Sequence, residues 1–482
     1  MTSRSLALPD GLVAIVKRDC PTCTLVVPVL VELAADRSTP LTVFTQDDPT
    51  FPDGIDAIDD TDLAVSFALE LDTVPTLLRV EHGREVARTV GWSREQWEAF
   101  TGRAGLGEGL PPHRPGCGSR TQDPDLVAQR TAAAGAAQLR SRRVELGESE
   151  DDIEAMFERG WSDGLPLVPP TPERVARMLT GTTRDPGELV ANVPPDLVDC
   201  TVEKVAINAV LAGCRPEYLP VVLTAVEAAC TDEFNIHGVL ATTMPVGPVV
   251  VVNGPVARAI GMNSRGNALG QGNRANATIG RALQLVIRNV GGGRPGGVDR
   301  ATQGQPGKYT FCFAEDEGGS PWEPLHVSRG YDAADSTVTL FTGEGPRVIL
   351  DQLSRTPESL VGSFAACLRT VAHPKIVIGI DAMLVVSPEH ARVFAEAGWD
   401  RGRLLGALGE QLQIPGREIV RGADGITEGM PEAFADTTLP KFRDGGLLVV
   451  HVGGGAGLFS AIIGGWVSGA TGSDPVTRPI AT

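Results

Sequence analysis

Residues 12–23 read Leu12-Val13-Ala14-Ile15-Val16-Lys17-Arg18-Asp19-Cys20-Pro21-Thr22-Cys23. A short apolar run of strand length leads into two cysteines separated by two residues, and an apolar stretch of helical length, Leu25 to Ala35, follows. Two sulfurs so spaced at a helix start can close a disulfide, and the helix end favours the thiolate of Cys20. Pro21 costs the helix nothing, because its missing N–H would lack a partner in the first turn anyway. Asp19 acts the other way, since a neighbouring carboxylate disfavours a second negative charge. Further out, Leu41 to Thr45 reads as a second strand, and Asp62 to Leu71 as a second helix capped by Thr61 or Asp62. Thr76 to Val80 and Glu85 to Val90 flank the turn His82-Gly83 and read as a hairpin. Ser93 caps a last helix that carries Trp97 and Phe100.

This order of elements over residues 1–105 resembles the thioredoxin fold. Finer marks agree: Pro28 lies five residues after Cys23, Val74-Pro75 falls at the family's cis-proline position, and Gly83 and Gly91 follow Pro75 at steps of eight. Asp19 departs from the usual tryptophan, and the family's extra N-terminal strand and helix are absent. The resemblance implies a redox-active disulfide with Cys20 as attacking thiol, Cys23 as resolving thiol and Pro75 beside the sulfurs. No other cofactor is identified. The remaining cysteines, Cys117, Cys200, Cys214, Cys230, Cys312 and Cys367, stand singly, so a structural zinc site is not expected.

Residues 106–150 read as a connector, Gly/Pro-rich at Gly105 to Pro115 and of helical propensity at Thr131 to Arg143. From residue 151 to 482 strand and helix signals alternate, which indicates a larger α/β or α+β domain of one lobe or two. Thr171-Pro172 starts a helix, and helical spacing from Val202 runs until Gly213. Val249 to Val252 is a buried-strand run, Ile279 to Asn289 a helix, Lys375 to Val386 a strand pair, and Pro388 to Ala397 a helix. Leu447 to Val452 reads as a strand and Leu458 to Trp466 as an apolar helix, with Gly453 to Gly457 between them. That turn does not satisfy G-x-G-x-x-G, which leaves close packing or a small-ligand turn. No repeat at a fixed period is visible. The segments Gly160 to Thr171 (G-W-S-D-G-L-P-L-V-P-P-T), Gly270 to Arg281 (G-Q-G-N-R-A-N-A-T-I-G-R) and Ser320 to His326 (S-P-W-E-P-L-H) resemble a large bacterial family of no established reaction. Its members are associated with thioredoxin-like and cysteine- or selenocysteine-containing redox proteins.

Several residues suit chemistry. Cys117, between two glycines, reads as an accessible resolving or substrate thiol, or as a loop cysteine without a role. Cys214, beside Arg215, reads as a favoured thiolate or as a buried structural cysteine. The turn Gly270 to Asn276 opens a helix, and with Asn253, Arg274, Asn276 and Arg281 it suits an anionic group or serves only as a structural loop. Lys308, Glu315, Trp322, Glu323 and His326 cluster along the chain and offer acid–base groups, against solvated loop charges as the plainer reading. Glu315 and His326 as metal ligands lack a third partner.

The chain has 482 residues, with 42 Lys and Arg against 60 Asp and Glu, a net charge of −18. That balance argues against nucleic-acid or anionic-membrane partners. No run of 18 apolar residues exists and the N-terminus lacks signal-peptide character, so a cytoplasmic protein is expected. Eight cysteines are too few for a disulfide scaffold. Together these readings lead to a thiol–disulfide redox enzyme whose dithiol serves a C-terminal domain acting on a small anionic molecule. A thiol reductant or redox protein is the expected partner, and Leu458 to Trp466 suits a homo-oligomer interface or a core helix alike. The alternatives are a lyase or sulfur-transfer enzyme with the dithiol as accessory reductant, and a non-enzymatic docking module.

Overall fold

Val13 to Val16 are almost completely buried because β1 (Gly11–Val16) is the central strand of a five-stranded sheet. The computed structural model describes residues 8–36, 38–124, 126, 139–147 and 150–481. The protein is α/β, with two compact units at residues 1–131 and 132–482.

In the first unit β1 leads into α1 (Pro21–Ala34), which carries Pro28 inside it. Then come β2 (Leu41–Thr45), β3 (Ala57–Asp59), α2 (Ala64–Ala68), β4 (Thr73–Val74), β5 (Thr76–Glu81) and β6 (Arg84–Val90). The sheet order is β3-β2-β1-β5-β6, with β1, β2 and β3 parallel and the β5–β6 hairpin antiparallel. The second helix is shorter than its apolar pattern suggests. The buried Asp60 carboxylate accepts from the N–H groups of Val65 and Ser66 and sets its start. β7 (Trp92–Ser93) and α3 (Arg94–Thr101) follow, and the Ser93 hydroxyl caps α3 through the Gln96 N–H.

The first part of the stretch read as a connector is built into this unit. β8 (His113–Arg114) pairs with β7, and β9 (Cys117–Gly118) pairs antiparallel with β4. Trp92 Nε1 donates to the Pro111 carbonyl, and Arg94 binds the carbonyls of Leu106, Gly107 and Leu110. The helical propensity at 131–143 falls mostly outside the described residues, and its described part, 139–143, is not helical.

Early in the second unit come helix Asp152–Glu158, capped by Asp151, helix Pro172–Leu179, capped by Thr171, and the hairpin β10 (Leu189–Val193) and β11 (Val198–Thr201). Its frame comprises β12 (Gly247–Asn253), β13 (Cys312–Ala314), β14 (Thr337–Gly343), β15 (Arg347–Leu350) and β16 (Ile380–Val386). A small hairpin, β17 (Gln413–Pro415) with β18 (Thr438–Pro440), precedes β19 (Leu447–His451), β20 (Phe459–Val467) and β21 (Val476–Pro479). The strands of the frame divide into two quartets, β13-β12-β14-β21 and β19-β16-β20-β15, joined at Gly343 and Gly465. Both quartets run parallel, antiparallel, antiparallel in that order.

One apolar core joins residues of the two quartets: Val251, Phe313 and Phe341 with Met383, Val450 and Ile463. Alternate residues point the other way, as the period of two in a strand requires. Val250, Val252 and Leu340 belong to a core with helices Val202–Ala212, Leu219–Ala229 and Arg274–Asn289. Ala382, Leu384 and Ile462 belong to another with helices Pro357–Leu368, Pro388–Glu396 and Arg401–Gln411. Strands β12, β14 and β16 are thus buried on both faces.

Two expectations are corrected here. Leu458 to Trp466 is no helix: Phe459 to Val467 form β20 between β15 and β16. An apolar run of that length suits either element, and pairing decides. Gly465 permits that pairing, since a Cβ there would lie 2.6 Å from the Asp381 carbonyl oxygen. Lys375 to Val386 forms one strand, because Lys375 is drawn aside to donate to the carbonyls of Val420, Ile426 and Glu428. Among the described residues no helix is long and apolar enough to cross a membrane.

Candidate active site: three cysteines at the first helix

Cys20 occupies the cap position of α1 in an extended conformation, and its Sγ accepts from the Cys23 N–H at 3.2 Å. The same Sγ lies 3.6 Å from the Val74 carbonyl oxygen, to which it donates only when protonated, beside the cis peptide Val74-Pro75. β9 sets Cys117 directly opposite Val74. Its position is held by Thr22 Oγ1, which donates to the Pro115 carbonyl at 2.7 Å, and by Ser119, which accepts from Gln46 Nε2 at 2.8 Å. Gly116 is required for this approach: a Cβ there would collide with Thr73 Cγ2 and lie 2.8 Å from the Val74 oxygen.

The electrostatics separate the three thiols. Cys20 is lowered to about 5, first by the Cys23 thiol, then against burial by the Cys117 thiol and the N–H groups of Cys23 and Thr22. At neutral pH such a group is mainly thiolate. These donors outweigh Asp19. Burial pushes Cys23 strongly up, and the adjacent Cys20 adds to the shift. Cys117 is also raised, by desolvation and then by its hydrogen bond to Cys20. One lowered thiol therefore stands beside two raised ones. Cys20 and Cys23 are buried, and Cys117 is half-buried.

The second unit treats its candidates differently. Cys214 is buried, donates to the Thr278 carbonyl at 3.3 Å, and is pushed up to about 12 by desolvation, so Arg215 does not make it a thiolate. Arg274 Nε donates to the Gly213 carbonyl, and Asn276 holds Asn263 and Ala268 of the preceding loop. Arg281 grips Asp163 and the carbonyls of Leu165 and Pro166, which anchors the G-W-S-D-G-L-P segment. Asn276 and Arg281 are thus tied to neighbouring loops, whereas Arg274 is exposed and uses its Nε for that bond. Lys308 is held by Asp299 at 3.0 Å.

Asn253, Glu315 and His326 do come together, with Glu317, which the sequence reading passed over. Asn253 Nδ2 donates to Glu315 at 2.7 Å and to Glu317 at 3.1 Å, and His326 Nδ1 stands 3.9 Å from Glu317. Burial pushes Glu315 up, while the Leu325 N–H, Asn253 and Arg401 oppose it. Among the described residues no three His, Cys, Asp or Glu are placed to hold a metal. A cavity of about 820 Å³ lies elsewhere in this unit, walled by Met156, Trp161, Pro169, Ile207 and Leu211, with Asn289 and Arg294 among its polar lining.

Spacing pointed to Cys20, Cys23 and Pro75. The Gly-Cys-Gly pattern marked Cys117 as noteworthy, but nothing local signalled that Pro115 to Gly118 lies against the dithiol. No protein-family model matches the chain, and no curated protein resembles it closely enough to count as a match.

Proposed function

We propose that the chain is a thiol–disulfide oxidoreductase with a thioredoxin-like first unit, in which the Cys20–Cys23 dithiol reduces an oxidised form of Cys117. The observation that carries this reading is the placement of Cys117 on β9, opposite Val74, whose carbonyl oxygen lies 3.6 Å from the Cys20 sulfur. When Cys117 is held as a mixed disulfide with a small thiol, the Cys20 thiolate attacks the Cys117 sulfur and the small thiol leaves, taking up a proton. Cys23 then gives up its proton and attacks Cys20, which closes Cys20–Cys23 and releases Cys117 as a thiol. Two electrons pass in all, and an external thiol reductant restores the dithiol. The second unit, in this reading, binds a small anionic molecule.

Two measurements test this. Alkylation of Cys20 by iodoacetamide should be nearly independent of pH above about pH 6 and fall about tenfold per unit below pH 5. A rate that climbs steadily to pH 9 contradicts a thiolate at Cys20. Gly116→Ala should dislodge the segment over the dithiol, at a cost of about 1–3 kcal/mol for overpacking. Cys20, only 1% exposed in the native chain, should then alkylate about 5–100 times faster. Mass spectrometry of quenched samples reads both.

A further inference from the structure

The turn Gly270 to Asn276 belongs to a loop in which Asn276 binds the backbone of Asn263 and Ala268. The opposite side of the same loop faces a cavity of about 410 Å³, where Arg265 and Gly270 meet Gly453, Gly454, Ala456 and Gly457. This cavity lies at the carboxyl ends of the parallel strands β16 and β19, the usual ligand position in open α/β sheets. Its lining, among the described residues, includes one arginine and no carboxylate, in a chain of net charge −18.

Three kinds of donor are left open there. Ser387 precedes the helix Pro388–Glu396 and occupies its cap position, yet its hydroxyl makes no cap hydrogen bond. The residue is only 9% exposed and lines the cavity, and its hydroxyl has no hydrogen-bond partner among the described residues. A serine at a helix start normally accepts from the first turn, so this one leaves both its own hydroxyl and the helix end unused. Among the described residues no acceptor takes the N–H groups of Gly454, Ala456 or Gly457. Arg265 adds a largely exposed guanidinium, shared with Asp316 at 3.2 Å. Val348, Val385, Phe459 and Ala461 give the remaining wall an apolar character.

We infer that this cavity binds a small organic oxyanion, a carboxylate or phosphate ester. Its head sits on Ser387 and the Gly454–Gly457 amides and its short body against the apolar wall. Such a turn of free amides at a helix end is an anion cradle. The site rests on none of the cysteines, so Cys20→Ser should bind as the unaltered chain does.

The test is calorimetric titration of the full chain with butyrate and with inorganic phosphate. Saturable binding of either is expected, stronger for butyrate if the natural ligand is a carboxylate and for phosphate if it is a phosphate ester. Ser387→Ala should weaken it about tenfold or more, the loss typical of a hydrogen bond to a charged group. Arg265→Gln should weaken it about two- to fivefold, as fits an exposed charge. Failure of both probes to saturate, or equal affinity in a Ser387→Ala chain of unchanged melting temperature, overturns the inference.

Discussion

Cys23→Ser should convert the chain, after mild oxidation, into one carrying a Cys20–Cys117 disulfide. The thiol that would release Cys117 is gone, while the Cys20 sulfur still stands at the Val74 carbonyl, opposite which β9 sets Cys117. Peptide mapping under non-reducing conditions should find that cross-link within one chain. Cys20→Ser should abolish it and slow disulfide reduction on the order of a thousand-fold or more, as loss of a nucleophile does. Cys214→Ser should leave both unchanged, because Cys214 is sealed in the helical core of its own unit. If Cys20 is recovered only with external thiols such as glutathione, the relay to Cys117 is wrong.

The second large effect concerns stability. Glu315 is buried, and its carboxylate oxygens accept from Asn253 Nδ2 and the Leu325 N–H, both at 2.7 Å, and from the His451 N–H at 3.3 Å. Arg401 lies 3.8 Å away, itself mostly buried. Glu315→Ala strands these donors and leaves Arg401 without its carboxylate, so a loss of about 3–5 kcal/mol is expected. Glu315→Gln keeps one acceptor but turns an amide N–H toward a donor, and about 1–3 kcal/mol should be lost. Denaturant titration of both variants checks the order. A Glu315→Ala chain as stable as the original would show that this cluster is not a structural tie between β13 and β19.

The first 105 residues were legible because their signals are local. Strand-length apolar runs gave β1, β2, β5 and β6, Ser93 gave the cap of α3, and the spacing of Cys20, Cys23 and Pro75 marked the site. The dithiol's geometry follows from a helix start and needs few distant residues. Cys117 was visible as a residue but not as a neighbour, because its position depends on β9 pairing with a strand more than 40 residues earlier.

The second unit was less legible. Leu458 to Trp466 carries no local mark that separates strand from buried helix, and only pairing with β15 and β16 makes it β20. The matching quartets left no fixed period, since β21, from the end of the chain, completes the first one and the inserted segments differ in length. Asn276 and Arg281 had the composition of an anion site, yet nearby carbonyls and Asp163 use their hydrogen bonds, while Arg274 stays exposed. Composition and spacing alone determined the α/β class and the cysteine pair, because both arise from contacts close along the chain. The tertiary structure decided where Cys117 lies and which polar groups remain unpaired, because both depend on which distant segments meet.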